Sequence, residues 1–211
     1  MPSGHDSTRT AEVSGVFLDA IPTTLDRACG SCHTVVSSIL AAEAVADPVS
    51  TDWYPLADGL AVYDRIEADV GRYTLFRIGR GLARSMDWPP EIATIDDALP
   101  LLADQYDRYH RGTESWAITL ESDQQGTGKI TFKTPYPRVL EAGLVRGVDD
   151  QFGTEDTYLA VRRGPCEECL SVRWWDEEIT HVDRLVPRMT RGDDLDPDLR
   201  RASRAGTPAS R

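Results

Sequence analysis

Four cysteines, Cys29, Cys32, Cys166 and Cys169, are all that the chain contains, and they fall into two Cys-x-x-Cys pairs. One such turn lets two sulfurs reach a single metal ion at about 2.3 Å, and two turns meeting in space complete the tetrahedron that zinc prefers. Four thiolates leave no position open for substrate, so the site would be structural. The first pair precedes a helical pattern, whose N-terminal N–H groups favour thiolate. The second lies in a turn between two strand patterns. The expectation is a structural zinc ion on Cys29, Cys32, Cys166 and Cys169, pinning the N-terminal segment to the last hairpin. The pairs stand far apart in sequence, so other chemistries stay open. The pairs could form a dithiol–disulfide switch, or the four could be unrelated buried cysteines. Cys29-Gly30-Ser31-Cys32-His33 also matches the attachment motif of c-type haem. An all-thiolate site does not by its ligands tell zinc from iron.

No catalytic residue is expected, and the chain is read as a non-enzyme. Ser115, Ser122 and Ser171 lack a Gly-x-Ser-x-Gly setting. Gly126 and Gly128 belong to a hairpin turn, and no phosphate loop is present. The acid pairs Asp96-Asp97, Asp149-Asp150 and Glu167-Glu168 are adjacent, and on a helix such neighbours point apart. The candidate binding residues are aromatic: Tyr106, Tyr109 and His110 on one pocket wall, with Tyr63 and Trp53 adding surface. The plainer roles are helix capping for His110 and core packing for Tyr63 and Trp53.

Several elements must position these residues. Residues 1–12 read as disordered and 13–21 as a short strand or extended lead-in. A helix is predicted over about 23–47, with Val35, Val36, Ile39, Leu40 and Val45 on one stripe, stopped at Asp47-Pro48. Further helices are predicted over 53–71, 72–86 and 94–110. The last has Thr94 as N-cap, Asp97 three residues on, and Pro100 as a kink. After Gly112 the apolar period changes to two, and 115–123 with 128–134 reads as a hairpin. A helix over 137–152 and strands in 158–163 and 169–175 follow. From 187 to 211 the chain lacks apolar periodicity and reads as a disordered tail. The layout is α+β: N-terminal helices, then a strand–strand–helix–strand–strand unit with an antiparallel sheet packed on helices. A division into 13–50 and a ligand-binding unit over 51–186 is expected.

The net charge is −12, and Lys129 and Lys133 are the only lysines. An acid excess so poor in lysine suits a salt-rich, halophilic cytoplasm, where screening tames self-repulsion. It also argues against nucleic-acid binding, which needs a basic patch. The densest arginine cluster, Arg77, Arg80 and Arg84, reads as a solvated helix face. No run is long and apolar enough to span a membrane, and the N-terminus carries no signal-like apolar core. A cytoplasmic location is expected.

Three pieces then suggest a family: Tyr106 with Tyr109-His110-Arg111-Gly112; Thr134-Pro135-Tyr136-Pro137 followed by Glu141-Ala142-Gly143; and Cys169 with Val172-Arg173-Trp174. In this order, over roughly residues 50–176, the chain resembles the vinyl-reductase-type and haem-NO-binding-like sensory domains, to which transport-particle subunits are distantly related. The resemblance implies an α+β domain that binds a small molecule, lipid or cofactor, forms a homodimer or joins a partner protein, and regulates without catalysing. Haem-binding members of the family use a proximal histidine and a Tyr-x-Ser-x-Arg motif. Tyr158-Leu159-Ala160-Val161-Arg162 keeps the outer spacing but has Ala where Ser belongs. Of the four histidines, only His110 lies on an amphipathic helix pattern of this unit, and on these two grounds haem is not expected. The expected function is a regulatory domain for a small hydrophobic or aromatic ligand. The alternatives are a dimerisation or interaction module without ligand, and a thiol-redox protein.

Overall fold

The computed structural model describes residues 11–26, 30–113, 117–122, 127–154, 158–163 and 169–175. The chain enters through a three-residue strand, β1 (Glu12–Ser14), and turns at once into α1 (Gly15–Asp26). Residues 15–21 are therefore helical, not extended as the sequence suggested. Phe17, Leu18, Ile21 and Leu25 are all buried, and their spacing is that of one helical face. Next comes α2 (Gly30–Ala42). There Val36, Ile39 and Leu40 are buried but Val35 is 45% exposed, so Val35 lies off the expected stripe.

The predicted helix over 53–71 begins with a short strand, β2 (Trp53–Pro55), and continues as α3 (Leu56–Asp69); α4 (Arg72–Ser85) follows. The predicted helix over 94–110 is broken in three. It comprises α5 (Ile95–Ala98), a 3-10 turn (Leu99–Leu101) containing Pro100, and α6 (Leu102–Arg108). Thr94 caps α5 in a complete capping box with Asp97. The chain then enters β3 (His110–Arg111), β4 (Ala117–Ser122), β5 (Thr127–Lys133), α7 (Arg138–Phe152), β6 (Tyr158–Arg163) and β7 (Cys169–Trp175).

Two antiparallel sheets result. The smaller has the order β2-β1-β3 and the larger β4-β5-β7-β6. The larger is the expected strand–strand–helix–strand–strand unit. One buried cluster joins α1, α3, α4, α6, α7 and the larger sheet.

The contact that organises this core is the crossing of α4 and α7. A Cβ on Gly79 would sit 2.0 Å from the Leu140 carbonyl oxygen, and one on Gly143 would sit 2.1 Å from that of Phe76. Only hydrogen side chains allow the two backbones to meet this closely. At the end of the crossing Arg80 clamps Asp150 through Nε and through Nη2 at 2.8 Å. Among the described residues no helix is long and apolar enough to cross a membrane.

Candidate functional site

The aromatic residues singled out in the sequence do not share one wall; they are sorted by the short strands. His110 pairs with Val13 in the β1–β3 ladder, which turns its ring inward to 5% exposure. There it stacks on Tyr106, with centroids 3.9 Å apart and planes at 12°. It also meets Phe17 edge-on at 4.9 Å. Its Nδ1 lies 2.7 Å from the Tyr106 carbonyl oxygen and its Nε2 2.7 Å from the Tyr136 hydroxyl. A carbonyl only accepts, so Nδ1 carries the proton. Burial lowers the imidazole pKa from 6.5 to about 4, against an opposing pull from that carbonyl. The ring is therefore neutral, Nε2 is an acceptor, and Tyr136 donates to it. His110 does cap the last turn of α6, but as a neutral donor rather than as a cation at the helix dipole.

Tyr136 is the residue the sequence undervalued. Pro135 and Pro137 hold it between β5 and α7, where it touches Tyr63 (5.7 Å), Phe17 (5.7 Å) and Tyr106 (6.3 Å). Tyr63 is fully buried, and its hydroxyl donates to the Phe17 carbonyl at 2.8 Å. Tyr109 stands at the edge of the group, 6.0 Å from Phe17, and its hydroxyl oxygen accepts the Asp87 N–H at 2.7 Å. Trp53 lies apart on β2, half-buried under the Arg111 guanidinium at 3.6 Å.

In front of this cluster runs an apolar crevice between the larger sheet and the helices. Ile118 and Phe132 of the larger sheet and Leu82, Leu102, Leu140 and Leu144 of the helices line it, and Tyr106, Tyr136 and Glu141 also border it. Its free volume is about 20 Å³, room for about one water. The Tyr106 hydroxyl is buried and has no hydrogen-bond partner among the described residues. Burial raises the phenols of Tyr63, Tyr106 and Tyr136, so all three stay protonated. Glu141 is only 4% exposed. It accepts from the Thr134 hydroxyl and from Arg138. Burial pushes its carboxyl up from 4.5 to about 8, while Arg138 and Thr134 pull it down.

These strands and helices match solved structures. A substituted Tt H-NOX aligns with 78% of this chain and 95% of its own at 14% identity, TM-score 0.58. An H-NOX protein from S. oneidensis aligns with 78% and 96% at 11% identity, TM-score 0.55. An oxygen-binding H-NOX domain related to soluble guanylate cyclases aligns with 78% and 95% at 15% identity, TM-score 0.55. The chain has the H-NOX fold. No family model and no curated protein matches the sequence.

The fold corrects the haem expectation. Haem was not expected, yet the fold is the haem-NO-binding one. One similar structure concerns haem redox potential and porphyrin distortion, and covers 77% of this chain and 99% of its own at 14% identity, TM-score 0.55. The H-NOX fold thus tolerates the Ala160 departure, which is no ground for ruling haem out. Tyr158, Ala160 and Arg162 lie on β6, with side chains outside the described residues. At His110 the fit is poor: both ring nitrogens are engaged, and Nε2 would be free for iron only if the Tyr136 bond opened. Structural zinc finds no support. Among the described residues no group of three or more His, Cys, Asp or Glu could hold a metal ion. Cys29 and Cys166, and the side chains of Cys32 and Cys169, lie outside those residues.

Proposed function

We propose that this chain is a non-catalytic sensory or regulatory domain on the H-NOX fold. It takes a small apolar or aromatic ligand into the crevice beside Tyr106 and passes its state to a partner protein or a second copy. The observation that carries this reading is the orphaned Tyr106 hydroxyl. A buried hydroxyl without a partner costs about 1–3 kcal/mol, and on a residue that borders an apolar crevice it is the polar contact a ligand could complete once the crevice opens. The ligand would have an apolar body and one hydrogen-bonding atom. In its narrow form the crevice admits little more than water, so binding would select an opened state in which α6 and the larger sheet part.

Non-denaturing mass spectrometry of the purified chain tests the reading. A small-molecule mass increment that disappears on unfolding supports it. A haemin titration is the second arm. An absorbance shift that needs His110 would assign the site to haem and displace the apolar-ligand reading.

A further inference from the structure

A second concavity lies on the other side of α4, remote from the crevice lining. Thr23 and Thr24 from the end of α1 and Arg77, Arg80, Arg84 and Ser85 from α4 line a polar groove of about 320 Å³. On a chain of net charge −12, three arginines in one groove are conspicuous. The sequence placed them on a plain solvated face, but α1 converts that face into a groove. It can do so because residue 81 is glycine: a Cβ there would fall 1.9 Å from Thr24 Oγ1.

Among the described residues the charges are only partly cancelled. Asp150 engages both Arg80 and Arg84, at 2.8 Å from Arg80 Nη2 and 3.2 Å from Arg84 Nη2, and so offsets one positive charge of three. Arg77 lies 6.0 Å from the centroid of the Tyr73 ring, and no ion pair with a described residue engages it. Among the described residues the groove therefore keeps an excess of positive charge, with hydroxyl donors from Thr23, Thr24 and Ser85 beside it. Guanidinium forks and hydroxyls together match an anion with several oxygens at tetrahedral spacing.

We propose that the α1–α4 groove binds a dianionic phosphate group, as the free ion or as a small phosphate monoester. Arg77 and Arg84 supply the charge, Thr24 the hydroxyl contact, and the Arg80–Asp150 clamp the fixed frame. This site is independent of the crevice and of the ligand proposed there.

The test is calorimetric titration of the full chain with inorganic phosphate and, separately, glycerol 2-phosphate, at constant ionic strength. Saturable binding is expected, weakened roughly tenfold in Arg77→Gln with the unfolding temperature unchanged, because Arg77 takes no part in the clamp. Tighter binding of the monoester would assign the site to a phosphorylated metabolite, and tighter binding of inorganic phosphate to the free ion. Thr24→Val should weaken binding and Thr24→Ser should retain it, which separates the hydroxyl from the packing on Gly81. Absence of saturable binding by either probe, or wild-type affinity in Arg77→Gln, overturns the proposal.

Discussion

The Tyr136 hydroxyl donates to Nε2 of His110 across 2.7 Å, and the donation runs one way because the Tyr106 carbonyl fixes the proton on Nδ1. This bond ties the β5–α7 connection to the β1–β3 ladder, across residues 26 apart in sequence.

Removing the donor leaves a buried acceptor. Tyr136→Phe should destabilise the chain by about 1–3 kcal/mol in urea unfolding. It should also move the His110 Nε2 nitrogen resonance. An unchanged resonance would mean that the tautomer and the bond are misassigned.

The two buried titrating groups pull stability in opposite directions. His110 is lowered to about 4 from 6.5, so between those values the folded chain binds fewer protons than the unfolded one. Its contribution is complete above 6.5 and is lost as pH falls through 4. Glu141 is raised from 4.5 to about 8, so its contribution is complete below 4.5 and is lost as pH rises through 8. Glu141→Gln should therefore flatten the decline in unfolding free energy between about pH 5 and 8. Urea titrations of both proteins across that range check it; parallel curves would contradict it.

The α4–α7 crossing has no room for a methyl group. Gly143→Ala should cost about 1–3 kcal/mol or more by overpacking against the Phe76 carbonyl. Ala142→Gly, one position away on the same helix and half-buried, should cost about 1 kcal/mol, the propensity difference alone. Equal losses in the two variants would show that the backbones do not meet at Gly143.

Much of this architecture was legible in the sequence, where periodicity was long enough to read. α3, α4 and α7 each repeat their apolar residues over several turns, and Thr94 with Asp97 announced the start of α5. The failures have physical causes. The run Val16-Phe17-Leu18 is apolar without visible period, so its helical state was decided by packing against α4. β1, β2 and β3 have two or three residues each, too few to show alternation, yet they turn His110 inward and leave Trp53 outside. Tyr136 was not among the candidate binding residues because its partners, Phe17, Tyr63 and His110, are all distant in sequence. The closeness of Gly79 to Leu140 was likewise invisible, since a glycine's value lies in the neighbour it admits.

The central claim is that the crevice beside Tyr106 accepts an apolar ligand with one hydrogen-bonding atom. Methyl NMR of Leu82, Leu140 and Leu144 during titration with acetophenone, an aromatic ring with one acceptor, tests it most directly. The account predicts saturable shifts at these leucines that weaken several-fold in Tyr106→Phe, while that variant is more stable than the parent by up to about 1–3 kcal/mol because an unpaired buried hydroxyl is removed. Absence of saturable shifts, or equal affinity in Tyr106→Phe, would contradict it.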